Sequence, residues 1–191
     1  MRNLTTRRGF IVGAIYTAGL FGVGAVAKAS HVDTGAIRPP GGQWAGFAAC
    51  CLKCDRCRSI CPQSCISVAQ FESGLLDART PVMDFQLGYC DFCGLCVEVC
   101  PTGALLPFDS HRDKIGVAQI DVEKCLAYSQ GSCNRCFDVC EFEALVVSEK
   151  GFPSIDPAVC NGCGECVAAC TSNVFGAFGG DQKRAVEVHS I

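Results

Sequence analysis

One cysteine motif occurs four times along this chain and accounts for 16 of its 18 cysteines. Three copies have the spacing C-x2-C-x2-C-x3-C, and the third copy in sequence order is stretched to C-x7-C-x2-C-x3-C. The four quartets are Cys51, Cys54, Cys57 and Cys61; Cys90, Cys93, Cys96 and Cys100; Cys125, Cys133, Cys136 and Cys140; and Cys160, Cys163, Cys166 and Cys170. Such a repeat limits the architecture of the whole chain, because each copy specifies one structural unit.

Three kinds of chemistry can gather cysteines in this number. Disulfide scaffolds are common in exported cysteine-rich chains, but they do not repeat one tight spacing four times. Structural zinc sites favour two C-x2-C pairs that are well separated in sequence. A [4Fe–4S] cubane is bound by the run seen here, and the fourth cysteine of the run binds the other cluster of a pair. The spacing therefore predicts four [4Fe–4S] clusters, with all the quartet cysteines as ligands.

The segments around each quartet predict short strands and short helices. Ala104-Leu105-Leu106, Ala144-Leu145-Val146-Val147 and Val174-Phe175 follow three quartets at one offset and are predicted as strands. The x3 gap places the third and fourth cysteines on one side of a helical turn, and Gly94, Gly162 and Gly164 are expected to let the chain approach the cluster closely. Two such units make one bacterial-ferredoxin-like module. The predicted fold class is α+β, with two modules of short strands, short helices and cluster-binding loops.

The pairing of the quartets stays open at this level. Neighbouring quartets can pair (first with second, third with fourth), or the arrangement can be nested (first with fourth, second with third). The linkers of 28, 24 and 19 residues between successive quartets suit both. Of the two remaining cysteines, Cys65 is interpreted as a small packed residue. Cys50 can compete with Cys51 for a ligand position, and Cys51 is preferred because it keeps the spacing of the other quartets.

Residues 1–29 have the three parts of an export signal. A basic start is followed by an uncharged apolar stretch over residues 10–26 and by two A-x-A cleavage sites. The adjacent Arg7 and Arg8 predict the twin-arginine route, which suits a protein that receives its cofactor before export. A Sec signal or an uncleaved anchor is the alternative. Cleavage after Ala29 is preferred, and it removes four basic residues, so that the formal net charge changes from −3 to about −7.

The signal and the repeats divide the chain into five predicted segments. Each of the two central segments holds two repeat units, and Trp44 of the lead-in is expected to pack over the first cluster. The segments are a signal peptide (1–29), an N-terminal lead-in (30–46), a ferredoxin-like region with the first two quartets (47–110), a second with the last two (111–180) and a C-terminal tail (181–191).

Composition and motifs exclude several classes of function. The formal net charge of −3 argues against a nucleic-acid surface, which normally carries a basic stripe. The sequence contains no dinucleotide fingerprint, phosphate-binding loop or zincin helix. His31, His111 and His189 are isolated and are interpreted as surface histidines. No acid–base pair or nucleophile can be assembled into a substrate-turnover site, and the chain is therefore interpreted as a relay of one-electron centres.

Charged residues near the quartets predict clusters of unequal potential. Lys53, Arg56 and Arg58 lie within the first quartet, whereas the fourth contains Glu165 and no cation. Because charges and hydrogen bonds around a cluster set its potential, the first cluster is predicted to have the highest potential and the fourth the lowest. The alternative is that these are solvated loop charges, which salt screens.

Three further features of the sequence point to a known family. They are the twin-arginine start, the segment Arg38-Pro39-Pro40-Gly41 ahead of the first quartet, and the stretched third motif from Cys125 to Cys136. With these features and the order of its quartets, nearly the whole chain resembles the periplasmic ferredoxin-type proteins of the NapG/MauM family, which are polyferredoxins with four [4Fe–4S] motifs.

This resemblance implies an exported electron-transfer protein at the periplasmic face of the membrane. It implies a membrane quinol-oxidising iron–sulfur protein as electron donor, and a periplasmic reductase of the nitrate-reductase kind or a cytochrome c as acceptor. The twin-arginine export machinery would be a further partner, and nucleic acid would not. The alternatives are a tightly bound electron-transfer subunit of a membrane molybdopterin oxidoreductase and, more remotely, a non-redox cysteine-rich metal-binding module.

Overall fold

The structure, a computed structural model, describes residues 35–74, 77–131, 133–172 and 184–191. In these ranges the chain forms short helices and short antiparallel strands, which confirms the predicted α+β class. The helices are α1 (Phe47–Cys50), α2 (Arg56–Ile60), α3 (Leu95–Glu98), α4 (Leu126–Gln130), α5 (Arg135–Asp138) and α6 (Glu165–Ala169). The strands are β1 (Ile66–Val68), β2 (Pro81–Met83), β3 (Val117–Ile120), β4 (Leu145–Val147), β5 (Pro153–Ile155) and β6 (Val186–His189), with a 3-10 turn at Phe71–Ser73.

The strands pair into two-stranded antiparallel sheets: β1 with β2, β4 with β5, and β3 with β6. Helix α2 packs on α3, and α5 packs on α6. These contacts group the first and second quartets in one unit, here called module A, and the third and fourth quartets in another, module B. Each module thus contains two copies of the repeat.

Helices α2, α3, α5 and α6 each start just after the second cysteine of a quartet and end beside the fourth. The residue before three of them is in the left-handed conformation, with φ of 61° at Asp55, 78° at Gly94 and 80° at Gly164. At Cys61 and Cys170 the backbone becomes extended and ends the helix. The predicted helical turn between the third and fourth cysteines is therefore confirmed.

The N-terminal lead-in is packed onto module A. The Arg38 guanidinium lies 2.5 Å from the Asp77 carboxylate, donates to the Thr80 hydroxyl, and stacks over the Phe47 ring at 5.2 Å. Ile37, whose carbonyl accepts from the Met83 N–H at 2.7 Å, is buried as well. The lead-in is thus bonded to the edge of β2 and to the residues that precede this strand.

The strand predicted at residues 104–106 is wrong. The Leu106 N–H donates to the Gly41 carbonyl at 3.0 Å, and a Cβ on Gly41 would lie 1.9 Å from the Leu106 oxygen. Pro107 follows and has no N–H with which to continue a ladder. This segment therefore makes one backbone hydrogen bond to the turn of the lead-in and does not pair with a strand. The corresponding prediction at Val174-Phe175 lies outside the described residues.

The predicted C-terminal tail is in part a strand of module B. Strand β6 pairs with β3, with Val186 opposite Ile120 and His189 opposite Val117. Ala185 and Val186 are buried. A domain boundary at residue 180 therefore separates two paired strands, because β3 pairs with β6 at the end of the chain and not with a strand close to it in sequence.

The core is small and rich in cysteine. The largest side chains that are fully buried are those of Ile115, Val167, Thr80, Pro39 and Cys65. Cys96, Cys160 and Cys166 belong to the main hydrophobic cluster, together with short aliphatic and aromatic side chains. Thiols thus make up part of the core itself. Among the described residues no helix is long and apolar enough to cross a membrane, and the predicted signal at 1–29 lies outside them.

Candidate cluster sites

Cysteines of two neighbouring quartets come together around a common cavity at three places. Site 1 is a pocket lined by Cys51, Cys54, Cys57 and Cys100. Site 2 is lined by Cys61, Cys90, Cys93 and Cys96, and also by Cys65. Site 3 is lined by Cys125, Cys133, Cys136 and Cys170.

The remaining quartet cysteines form a fourth group, site 4. Burial and then the charges of Cys160 and Cys140 raise the pKa of Cys163. Burial and then Cys163, Cys160, Cys136 and Cys140 raise the pKa of Cys166, so Cys140 lies near both sulfurs. Every site therefore combines the first three cysteines of one quartet with the last cysteine of the neighbouring quartet. The structure shows the adjacent pairing, first with second and third with fourth, and not the nested one.

The cluster loops use left-handed residues at two positions. In the first, second and fourth quartets they are Lys53 (φ 54°), Asp55 (φ 61°), Phe92 (φ 53°), Gly94 (φ 78°), Gly162 (φ 83°) and Gly164 (φ 80°). Alternating backbone handedness turns successive N–H groups inwards and forms an anion-binding concavity. The Lys53 N–H, for example, points at the Cys51 sulfur at 3.4 Å. The left-handed conformation by itself favours glycine at Gly94, whereas at Gly162 and Gly164 an added Cβ would also clash with neighbouring parts of the chain.

The stretched third motif contains an additional helix. Helix α4 occupies the long gap and ends at Gly131, which has a φ of 73°. The Tyr128 ring stacks on Phe152 at 4.5 Å, and its hydroxyl donates to the Pro153 carbonyl at 3.1 Å. The insertion thus packs on β5, and it leaves Cys125 in place as the first cysteine of site 3.

Burial and mutual repulsion disfavour bare thiolates at these sites. Burial, followed by neighbouring cysteines, raises the pKa of Cys57 and Cys136 to about 11 and that of Cys96 and Cys163 to about 12. Four thiolates brought together therefore need positive charge among them, and iron supplies that charge when a cluster binds. Four cysteine sulfurs around a largely apolar pocket fit the donor set of a cubane.

Hydrogen bonds from the chain favour the thiolate at Cys100. Burial alone would raise the pKa of Cys100, but the N–H groups of Leu105, Thr102 and Ala104 outweigh burial and lower it. The Thr102 hydroxyl lies 3.7 Å from the same sulfur. Donors of this kind stabilise the negative charge on a cluster and tune its potential.

The structure distinguishes the two cysteines outside the quartets. Cys50 is exposed at the end of α1, and it is Cys51 that lines site 1. Cys65 is 1% exposed, and its sulfur lies 3.6 Å from that of Cys61. The hydrogen bond from Cys65 lowers the pKa of Cys90. Cys65 is thus packed against two sulfurs of site 2, a contact that its interpretation as a small packed residue does not indicate.

Other predicted residues lie at the edges of the sites. The Trp44 indole donates to the Ala104 carbonyl at 2.9 Å, next to site 1, which Ala104 lines. His111 and His189 are exposed, His111 with its ring against Phe142, whereas His31 lies outside the described residues. Trp44 therefore supports the wall of a site and is not part of its sulfur set.

Charge around site 1 is held by local contacts. The Lys53 ammonium donates to the Ala78 carbonyl at 2.7 Å, and the Arg79 guanidinium pairs with Asp55 at 3.0 Å. Near site 4, burial and the Glu141 carboxylate raise the pKa of Glu165. Lys53 and Asp55 thus both border site 1, and the unequal potentials of the clusters stay a prediction.

Replacing Lys53 with Glu is expected to lower the potential of the cluster at site 1, because a nearby carboxylate disfavours the added electron. A shift of tens of millivolts is expected, since about 59 mV corresponds to a tenfold change in a one-electron equilibrium. Potentiometric titration followed by EPR measures it. Lys53→Gln should give a smaller shift, and Lys150→Glu, on the exposed turn between β4 and β5, should give none. An unchanged set of potentials in Lys53→Glu would contradict the prediction.

Comparison with known proteins gives consistent matches along the chain. A family model described as a 4Fe-4S dicluster domain matches residues 50–104 and again 89–144, and one described as a 4Fe-4S binding domain matches 152–177. The two dicluster matches overlap on the second quartet, because the quartets have nearly the same spacing. In the structure the second quartet forms its sites with the first quartet, as in the match over residues 50–104.

Curated relatives cover most of the chain. The ferredoxin-type protein NapF of Escherichia coli K12 is 32% identical over 142 residues, which are 70% of this chain and 79% of the relative. The methylamine utilization ferredoxin-type protein MauM of Paracoccus denitrificans is 33% identical over 190 residues, covering 88% and 84%. The ferredoxin-type protein NapG of Escherichia coli K12 is 31% identical over 190 residues, covering 86% and 80%.

Proposed function

Because the chain belongs to the family of [4Fe–4S] ferredoxin-type electron-transfer proteins that includes NapF, NapG and MauM, we propose that it relays single electrons through four clusters outside the cytoplasm. Its donor is a membrane quinol-oxidising iron–sulfur protein. Its acceptor is a periplasmic reductase or a cytochrome c. The observation that carries the proposal is that cysteines of neighbouring quartets line common pockets, each with three cysteines of one quartet and one of its neighbour.

The roles of the residues follow from the geometry of the sites. The quartet cysteines bind the clusters, which supply one-electron chemistry when present. Phe47 and Leu105 border site 1, and Ile66 and Met83 border site 2, where they keep water from the sulfurs. Backbone N–H groups at the loops and at Thr102 stabilise the negative charge. None of these roles requires a substrate-binding pocket.

Electron exchange with the predicted partners tests this function. The purified protein, reduced under anaerobic conditions, is expected to be reoxidised by a periplasmic nitrate reductase or a c-type cytochrome from the same organism, as followed by its visible absorption. Reduction by quinol-reduced membranes, but not by quinol alone, is expected in the other direction. A protein that holds clusters and exchanges electrons with neither partner would contradict the proposal.

A tightly bound subunit of a membrane molybdopterin oxidoreductase is the second candidate. Washing membranes with high salt distinguishes the two functions. A relay that docks transiently is released, whereas a permanent subunit remains with a molybdenum-containing complex.

Changing Arg7 and Arg8 to Lys is expected to abolish export almost completely, because the twin-arginine machinery requires the arginine pair. The protein should then accumulate in the cytoplasm with its clusters in place. Cell fractionation and immunoblotting measure the distribution. Arg2→Lys, a change of the same type outside the pair, should leave export unchanged. Normal export of the double variant would show that residues 1–29 use another route or are not a signal.

A further inference from the structure

We infer that modules A and B meet at sites 2 and 4, so that electrons pass in the order site 1, site 2, site 4, site 3. This inference rests on the proposed function, because the contact carries electrons only if clusters occupy the sites. The order differs from the order of the quartets along the chain. It makes sites 1 and 3 the two ends of the relay and therefore the places where partners exchange electrons with this protein.

A backbone hydrogen bond joins the two inner sites directly. The Cys90 N–H, at site 2, donates to the carbonyl of Cys163, at site 4, at 2.8 Å. Both residues are quartet cysteines, so the path from one set of sulfurs to the other consists of two cysteine residues and one hydrogen bond. Site 3 has no corresponding bond to site 2 in the part of the chain that the structure describes.

Aromatic rings extend the same contact. Phe92 lies between Cys90 and Cys93 of site 2, and Phe142 follows Cys140 of site 4 by two residues. Their ring centroids are 6.0 Å apart with the planes at 89°, an edge-to-face arrangement, and Phe108 stacks on Phe92 at 5.4 Å. These rings cover the gap between the two inner sites and limit the entry of water.

The helix that carries Cys166 is packed against module A. The Arg184 guanidinium donates to the Val167 carbonyl at 2.7 Å and to the Phe85 carbonyl at 3.3 Å. A Cβ placed on Gly164 would lie 2.0 Å from the Phe85 ring. The approach of the modules at this point therefore depends on the absence of a side chain at Gly164.

Within each module the helices supply the other two steps. Helix α2 carries Cys57 of site 1 and ends at Cys61 of site 2, and α3, which carries Cys96, packs against it. In module B, α6 carries Cys166 of site 4 and ends at Cys170 of site 3. One helical turn thus separates the sites of each module, and the contact between sites 2 and 4 joins the two pairs into one line.

A matched pair of glycine variants tests the order. Gly151, on the turn between β4 and β5, and Gly164 have φ of 81° and 80°, so alanine strains the backbone similarly at both. At Gly151, however, nothing lies within 4 Å of the added Cβ, whereas at Gly164 it meets Phe85. EPR of the fully reduced protein should show spin coupling between the clusters of sites 2 and 4 that weakens in Gly164→Ala and is retained in Gly151→Ala. Weakening in both variants or in neither would overturn the inference.

A second pair of variants tests the order without relying on that packing. Cys163→Ser and Cys133→Ser alter the second cysteine of the fourth and third quartets, and Cys93→Ser identifies the site 2 signal by removing it. The part of the coupling at site 2 that comes from site 4 should be lost in Cys163→Ser and kept in Cys133→Ser, whereas the coupling of site 2 to site 1 should remain in both. The reverse result would show the order of the sequence instead. Absence of cubane signals from the unaltered protein would refute the proposed function, which is a separate outcome.

Discussion

Removal of iron is expected to unfold both modules. The intact protein should contain about 16 iron atoms, four in each of four cubanes. A chelator that strips them should cause the loss of most secondary and tertiary structure, since metal binding and folding are one equilibrium when the ligands form the core. Circular dichroism and iron analysis, recorded on the same anaerobic samples, measure both changes.

The physical reason is the size of the elements. The described helices and strands have three to five residues, far below the length at which a helix is stable alone, and isolated two-stranded hairpins are at best marginal. Cys96, Cys160 and Cys166 are part of the main core, so the clusters occupy the place that large aliphatic side chains take elsewhere. Without the clusters, protonated thiols around unfilled pockets would remain, and nothing would bind the short elements together.

Reconstitution is the control for this experiment. Iron, sulfide and a reductant added to the stripped protein should restore its spectrum, which shows that the chelator did no irreversible damage. A stripped protein that kept its structure and contained oxidised cysteine pairs, by mass, would mean that disulfides hold the fold.

Replacing Cys100 with Ala is expected to destroy or convert the cluster at site 1 and to leave that at site 2 in place. Cys100 belongs to the second quartet by sequence, but it lines the cavity of Cys51, Cys54 and Cys57. The EPR spectrum of Cys100→Ala should therefore lack the same cubane signal as that of Cys54→Ala. Up to about four of the 16 or so iron atoms should be lost in each case.

Three comparisons make this result decisive. Cys93→Ala, in the same quartet as Cys100, should remove a different signal, that of site 2. Cys170→Ala should affect site 3, whereas a nested arrangement would make Cys170 the fourth ligand of site 1. Cys50→Ala, at an exposed cysteine next to Cys51, should change no cluster. If Cys100→Ala and Cys93→Ala lost the same cubane EPR signal, the pairing of the first quartet with the second would be contradicted.

Much of the local structure was predictable from the quartets. The x3 gap requires a helical turn, and helices α2, α3, α5 and α6 form where the spacing predicts them. Asp55 shows the limit of such reasoning. It has the same left-handed conformation as Gly94 and Gly164, which precede the equivalent helices, but an aspartate does not predict that conformation as a glycine does. The strand expected at residues 104–106 failed because its neighbour is a turn of the lead-in, with which it makes one hydrogen bond.

By itself the sequence determined the number of quartets, the type of cofactor that their spacing suits and the helical turn in each, because these depend on residues a few positions apart. Only the tertiary structure decided which fourth cysteine completes which site, that Cys65 lies against site 2, and that β6 belongs to module B. Four nearly identical local motifs carry no signal of their partners. The partners are selected by contacts between residues far apart in the chain, such as Cys90 with Cys163 and Val117 with His189.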